Sequence, residues 1–333
     1  MGKGISKSAG VHELEPVSLC ELIHQHVRVA IETAVHYRNG IRERTLTGPT
    51  GPVALALPRA TLFRGAGATE WTSTIVPRYQ RRMPEVNEAM IATYLAGGNT
   101  RRIRGALQPL LKAAPLSKSA VSRVIATLKG GLETWRTRAL ADLDVIYVYL
   151  DGFALRVRSG GKVVSVPVLG VVGVLADGGK QLLALELCGG ESFEAWKGCL
   201  EDLAARGLRP PVLCIIDGHA GLRRAVGLVW PRAAVQRKRC PGVVTSLREG
   251  GDELLTFFRF PKTQWKTLRT TNVIERLHEE FRRRVKTQGA LPSEDAALIL
   301  LFSLVASGQI KLRRIDGWRK IAGVISQHTG VAA

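Results

Sequence analysis

Residues 145–158 read VIYVYLDGFALRVR. An apolar run of β-branched and aromatic residues reaches Asp151, a Gly follows, and the apolar character then returns. So short a run with such residues favours a strand, here Asp144–Arg158. A carboxylate in the middle of a core strand is costly unless it is paired or used. Working outward, a Gly-Gly turn leads into a second strand, Val163–Leu175, and an Asp-Gly-Gly turn into a third, Gln181–Leu187. Those turns predict an antiparallel meander.

The chain then changes period. Ser192–Arg206 reads as a helix whose apolar face is Phe193, Trp196, Leu200 and Leu203. Pro211–Ile216 is short and wholly apolar, as buried parallel strands tend to be. Asp217 follows at its carboxyl end, where open α/β sheets bind ligands. A helix over His219–Trp230 and a short strand over Ala233–Gln236 complete the unit. This order predicts an α/β fold of ribonuclease-H-like type, a mixed sheet in which the first and fourth strands are neighbours. Asp151 and Asp217, 66 residues apart, would then meet.

A third carboxylate, Glu275, lies in TTNVIERLHEEFRRR, residues 270–284, a basic helix by its pattern. Two strand-end aspartates and a helix-borne glutamate form the usual layout of a site holding divalent ions against a phosphodiester. Carboxylates are hard ligands suited to Mg²⁺. Two Mg²⁺ or Mn²⁺ ions can activate an attacking oxygen and stabilise a leaving one. Each residue has a plainer alternative. Asp151 with Gly152 can mark a turn, Asp217 can cap the helix after it, and Glu279 shares a face with Glu275. Glu280 competes as well. His219 stands close enough in sequence to assist or simply to start its helix. Asn272 can orient Glu275 or cap. Arg282, Arg283, Arg284 and Lys286 follow on the same helix and suit DNA phosphates, or a solvated face. Trp265 can stack on an unpaired base or pack in the core.

The 333 residues carry 48 Lys and Arg against 28 Asp and Glu, a formal charge of +20. The pI near 10.4 points to a polyanionic partner. Length suggests about two domains. No apolar run approaches a membrane span, and the start MGKGISKSAG lacks a secretory h-region. Gly2 and Ser6 fit only the loose myristoylation pattern. The five cysteines, Cys20, Cys188, Cys199, Cys214 and Cys240, form no CxxC and no zinc rhythm. Cys214 reads as a small buried hydrophobe, and a reducing, nucleoid-associated cytoplasmic location fits best.

The first 140 residues read as a mainly helical DNA-binding region, with 141–333 as the catalytic domain. A helix is expected over 11–36, a small hairpin or arm over 37–58, irregular basic chain over 59–83 and a helix over 84–97. Residues 98–129 read as helix, turn, helix. Asn99 or Thr100 can cap the first, Pro115 breaks the chain, and Ser117 can cap the second. Ala120, Val121, Val124, Ile125 and Leu128 give the second helix a buried face. Arg101 and Arg102 start the first helix, and Lys118, Ser119, Ser122 and Arg123 start the second. Recognition helices touch bases and phosphates at such positions. A plain helical hairpin with a solvated basic face is the alternative.

The strings YRNGIRERTL, NTRRI, SKSAVSRV, VYLDG, DGHAGLRRAV, FPKTQWKTLRTTNVIERLHEEFRRRVKTQG and LRRIDGWRKI run in order from about residue 37 to 321. Through them the chain resembles the Mutator-type transposases of bacterial insertion sequences, the IS256 family. The resemblance implies a DDE transposase with Asp151, Asp217 and Glu275 as the metal-binding triad. It further implies terminal inverted repeats and target DNA as double-stranded substrates, strand cleavage and transfer, and a homo-oligomeric synaptic complex. Members carry a long helical insertion before the glutamate helix, opened by a Cys-Trp-x-His type string. Here AVQR runs into KRCPGVVTSLREGGDELLTFFRFP, and only 58 residues separate Asp217 from Glu275. An internal deletion joined near Gln236–Arg239, within 236–240, is expected. Two other readings stay open: a shortened, inactive copy that binds element ends as a repressor, and a general ribonuclease-H-like nuclease.

Overall fold

The computed structural model describes residues 19–32, 35–64, 67–98, 100–112, 116–237, 251–286 and 289–329. By its contacts the chain divides into two compact units, residues 1–90 with 104–117, and residues 91–103 with 118–333.

The first unit opens with α1, Leu19–Glu32, within the helix expected over 11–36, whose last two residues, Val35 and His36, are strand instead. The long hairpin β1, Val35–Gly48, and β2, Gly51–Arg64, follows, and β3, Gly67–Glu70, pairs with β2. Ile23 of α1 packs with Leu46, Leu55, Leu57 and Val76 in a small core. The hairpin is larger than the arm expected over 37–58, and residues 59–64 and 67–70 are strand rather than irregular chain. On β2 the buried positions pass from Leu55 and Leu57 to Ala60 and Leu62, which breaks the alternation that marks a strand. At this level β1 carries a bulge between Arg38 and Ile41, where Gly40 takes φ +78°. Helices α2, Pro84–Leu95, and α3, Thr100–Leu107, come next, and the division between the units passes through both. Asn99 and Pro115 lie outside the described residues.

In the second unit α4, Lys118–Thr137, precedes β4, Val145–Ser159, β5, Lys162–Leu175, and β6, Lys180–Leu187. The meander is as expected, with Gly160 and Gly161 at φ +55° and +79° making its first turn. Helix α5, Phe193–Ala205, strand β7, Leu213–Ile216, helix α6, Ala220–Val229, and strand β8, Ala234–Arg237, then alternate. The five-stranded sheet has the order β6-β5-β4-β7-β8 and is mixed, because β7 and β8 join β4 in parallel. Beyond β8 come α7, Asn272–Lys286, α8, Glu294–Ala306, and α9, Ile321–Thr329.

The two faces of the sheet are dressed differently. Val148, Leu150, Cys214 and Ile216 point into a core with Trp196 and Leu200 of α5 and Leu222 and Val226 of α6. Because side chains alternate along a strand, Tyr147, Tyr149, Asp151 and Phe153 face the other way. Phe153 there stacks on His278 and Phe281 of α7, with ring centroids 4.2 and 5.7 Å apart. The Tyr147 hydroxyl donates to Gln264 Oε1 at 2.8 Å and that of Tyr149 to the Thr267 carbonyl at 3.2 Å. These bonds tie the segment leading into α7 onto β4. Helix α8 is apolar nearly all round, with Leu298, Leu300, Leu301 and Leu304 buried. Such a helix is covered on more than one side. It packs against α4, where Trp135 meets Phe302 at 5.2 Å and Lys129 meets Asp295 at 2.7 Å.

Candidate active site

The parallel ladder between β4 and β7 pairs Tyr147 with Leu213, Val148 with Cys214, Tyr149 with Ile215 and Leu150 with Ile216. One residue further on, Asp151 and Asp217 stand next in line on strands about 5 Å apart. Asp151 sits inside β4 rather than at its end, on the face that α7 covers. Its partner on the antiparallel side is Gly170.

Asp151 is held from above. His278 Nδ1 stands 3.3 Å from Asp151 Oδ2, and the His278 side chain is 2% exposed. His278 Nε2 is buried with no hydrogen-bond partner among the described residues. Gly170 makes the room. A Cβ there would lie 2.9 Å from His278 Nε2 and 3.5 Å from the Ile274 side chain. One small residue opposite Asp151 thus lets α7 approach the sheet.

Asp217 begins the turn into α6. Its Oδ1 accepts from the His219 amide at 3.0 Å, while His219 Nδ1 accepts from the Leu222 amide at 3.2 Å and caps the helix. Asp217 Oδ2 has no hydrogen-bond partner among the described residues and remains open to a cation.

A fourth carboxylate, which sequence reasoning missed, lies against this pair. Glu191, in the loop between β6 and α5, rests on Gly152, where a Cβ would meet its Cδ at 2.3 Å. Burial first, then Asp217 and Asp151, push the Glu191 carboxyl above its ordinary range, with His219 and His278 opposing. Glu191 and His278 carry no motif or period that marks them. Their role rests on tertiary closeness that only the folded chain provides.

Glu275 lies one helical turn before His278 on α7. Its Oε1 accepts from Thr271 Oγ1 at 2.9 Å. Among the described residues no three His, Cys, Asp or Glu side chains close on one metal-sized point. The aspartates alone still suit a Mg²⁺ ion, which commonly takes one or two protein carboxylates plus substrate phosphate. A carboxylate accepts at both oxygens, so the Thr271 bond to Oε1 does not bar Glu275 from a metal ion.

The remaining sequence candidates are dispersed. Arg282, Arg283 and Lys286 are exposed at the end of α7, with Arg283 paired to Glu280 at 2.5 Å, and Arg284 is half-buried. Lys118, Ser119, Ser122 and Arg123 lie exposed on α4, opposite buried Ala120, Val121 and Val124. Arg102 is exposed on α3, which also carries Arg101. The helix-turn-helix-like segment is shared between the two units, since 104–117 goes with the first and α4 with the second. Asn272 is the exposed first residue of α7. Trp265 meets the packing reading: its indole N–H donates to the Phe260 carbonyl at 2.7 Å, and Phe257 and Phe258 meet its ring edge-on. Cys214 is buried, and burial pushes its thiol far above the ordinary range, as an inert core residue requires. Gly2, Ser6, Cys240 and most of the expected join at 236–240 lie outside the described residues. No helix among the described residues is long and apolar enough to cross a membrane.

Comparison with known proteins identifies the family. The family described as Transposase, Mutator family, matches residues 8–240 and 237–312. The transposase for insertion sequence element IS406 of Burkholderia multivorans is 30% identical over 326 residues, covering 83% of this chain and 82% of that protein. The transposase for IS1081 of Mycobacterium tuberculosis is 28% identical, covering 81% of this chain and 75% of that protein. The transposase for IS256 in transposon Tn4001 of Staphylococcus aureus is 26% identical and covers 78% of each. A solved Drosophila P element transposase strand transfer complex is 11% identical at a TM-score of 0.30, covering 73% of this chain and 63% of that one, too loose a likeness to build on. With the family matched from residue 8 to residue 312, the chain belongs to the Mutator family of transposases.

Proposed function

We propose that this transposase cuts and joins DNA at the ends of an insertion sequence, with Asp151, Asp217 and Glu275 as the acidic triad of a ribonuclease-H-like site. The observation that supports the reading is the β4–β7 register, which pairs Leu150 with Ile216 and so brings Asp217 in line with Asp151. The strand order β6-β5-β4-β7-β8, an antiparallel meander continued by parallel strands, supports the same fold.

In this reading Asp151 and Asp217 hold the divalent ions, Mg²⁺ or Mn²⁺. Bound there, such ions lower the pKa of an attacking water and stabilise charge on the phosphodiester oxygens. The protein's own part is to position. His278 fixes the Asp151 carboxylate, Glu191 adds negative charge beside the pair, and α7 carries the Glu275 that would join them on the bound ions. Arg282, Arg283, Arg284 and Lys286 meet the DNA backbone, which supplies affinity with little sequence choice. Arg101 and Arg102 on α3 and Lys118, Ser119, Ser122 and Arg123 on α4 read the terminal repeat. The protein acts in the cytoplasm at the nucleoid, as a homo-oligomer that pairs element ends.

A second reading has its own support. The family matches in two segments that meet at residues 237–240. The alignment to the IS406 transposase spans 326 positions. Since 83% of 333 residues is about 276, about 50 of those positions have no counterpart here. Both facts favour an internal deletion near Gln236–Arg239, and Glu275 is bonded to Thr271 rather than grouped with the aspartates. A shortened chain of this kind would bind element ends without cutting them.

A labelled duplex carrying the element's own terminal repeat separates the readings. Metal-dependent nicking at the repeat boundary supports the enzyme. Binding without nicking supports the repressor, and cutting without regard to the boundary supports a general nuclease.

A further inference from the structure

The face of α7 next to Glu275 opens on a cleft of about 550 Å³ that belongs to none of the residues assigned above to DNA contact. It is lined by six cations, Lys180, Lys266, Arg276, Lys311, Arg313 and Arg314, against two acids, Glu280 and Asp316. Part of this charge is already spoken for. Glu280 pairs with Arg283 at 2.5 Å, and Arg314 pairs with Asp177 at 3.1 Å while lying over the Trp318 ring. Lys266, Arg276, Lys311 and Arg313 are exposed and form no ion pair among the described residues.

Like charges are held together here. Lys180 stands near enough to Arg276 that burial and then that guanidinium lower its pKa, with Asp316 offsetting only in part. Grouping cations this way is unfavourable unless an anion enters the space. Several exposed cations around an open groove suit phosphate oxygens.

We infer that this cleft is a second DNA-backbone groove of the second unit, gripping the phosphates of a strand that runs past the amino-terminal half of α7. It rests on the reading of the chain as a DNA-cutting enzyme and deepens it. Consecutive helix residues point about 100° apart, so Arg276 carries the groove on the face of α7 beside the one that bears Glu275. Recognition there is of backbone charge, without base choice.

The test compares two triple variants of the full chain. One is Arg276→Gln, Lys311→Gln, Arg313→Gln, all exposed positions. The other, Lys197→Gln, Arg209→Gln, Arg232→Gln, removes equal charge elsewhere on the same unit. Affinity for a fluorescent terminal-repeat duplex is read by anisotropy between about 50 and 200 mM salt, with thermal melting to show that each variant is folded. The groove triple should flatten the slope of log K against log salt by about 2, near the loss of two phosphate contacts. The control triple should leave it within about 0.5 of the parent. Equal slopes for the two triples would overturn the groove while leaving the enzyme reading intact. A parent chain that binds no duplex would overturn both. If the groove triple melts early, the paired exposed change Lys311→Gln, Arg313→Gln decides by the same slope.

Discussion

His278 Nδ1 lies 3.3 Å from Asp151 Oδ2, a polar contact beside the buried Ile274, Leu277 and Phe281 through which α7 lies on the carboxylate-bearing strand. The imidazole is also stacked on Phe153, the next residue but one along β4. It therefore orients Asp151 without needing to touch the substrate. His278→Ala should weaken Mn²⁺ binding, read by calorimetry, and slow nicking by about 10–100-fold, the usual cost of losing a residue that orients a metal ligand. His278→Asn, which keeps a donor, should recover part of both. Unaltered metal affinity in the alanine variant would remove the positioning role.

Gly170 is the space into which that imidazole fits. Gly170→Ala would put a Cβ 2.9 Å from Nε2 of a side chain that is stacked and buried. The ring cannot give way easily, so α7 should lift. The expected loss is about 1–3 kcal/mol of stability, measured by denaturant unfolding, together with reduced nicking. A variant as stable and active as the parent would show that the helix does not dock as described.

Glu191 is crowded by Asp151 and Asp217, and its carboxyl pKa is raised by burial and by those charges. A raised carboxyl pKa means that the ionised form is disfavoured in the folded state. Its unfavourable contribution is therefore present above the folded pKa and vanishes as pH falls through it to the unfolded value. Glu191→Gln should raise Tm at neutral pH in metal-free buffer, and the gap to the parent should close on acidification through the carboxylate range. A gap independent of pH would separate Glu191 from the site's electrostatics.

Tyr147 and Gln264 make a buried hydrogen bond of 2.8 Å, and Gln264 also donates to the Gly317 carbonyl at 3.2 Å. Tyr147→Phe should cost about 1–3 kcal/mol, because it leaves a buried amide oxygen unsatisfied. Thermal melting reads the loss, and an unchanged Tm would mean that the segment before α7 is anchored elsewhere.

Much of this arrangement was legible before the fold was known. Gly160–Gly161 and Asp177–Gly179 punctuate the meander, the wholly apolar β7 announces a central strand, and the aspartates follow from their place on those strands. What was not legible depends on distance through space. Glu191 sits in a loop without period, and only the approach of β6–α5 to Gly152 gives it meaning. His278 is one polar residue among many in ERLHEEFRRR. The continuation of β2 past Pro58 is concealed because its buried positions pass from Leu55 and Leu57 to Ala60 and Leu62, breaking the alternation that marks a strand.

The most direct measurement is Mg²⁺-dependent nicking of a terminal-repeat duplex by the parent chain and by Asp217→Asn. The isosteric amide keeps the His219 turn while removing the charge. Nicking at the repeat boundary by the parent should fall by about a thousandfold or more in the variant, a loss of about 4 kcal/mol in transition-state stabilisation. Equal nicking by both proteins would contradict a catalytic centre built on Asp151 and Asp217.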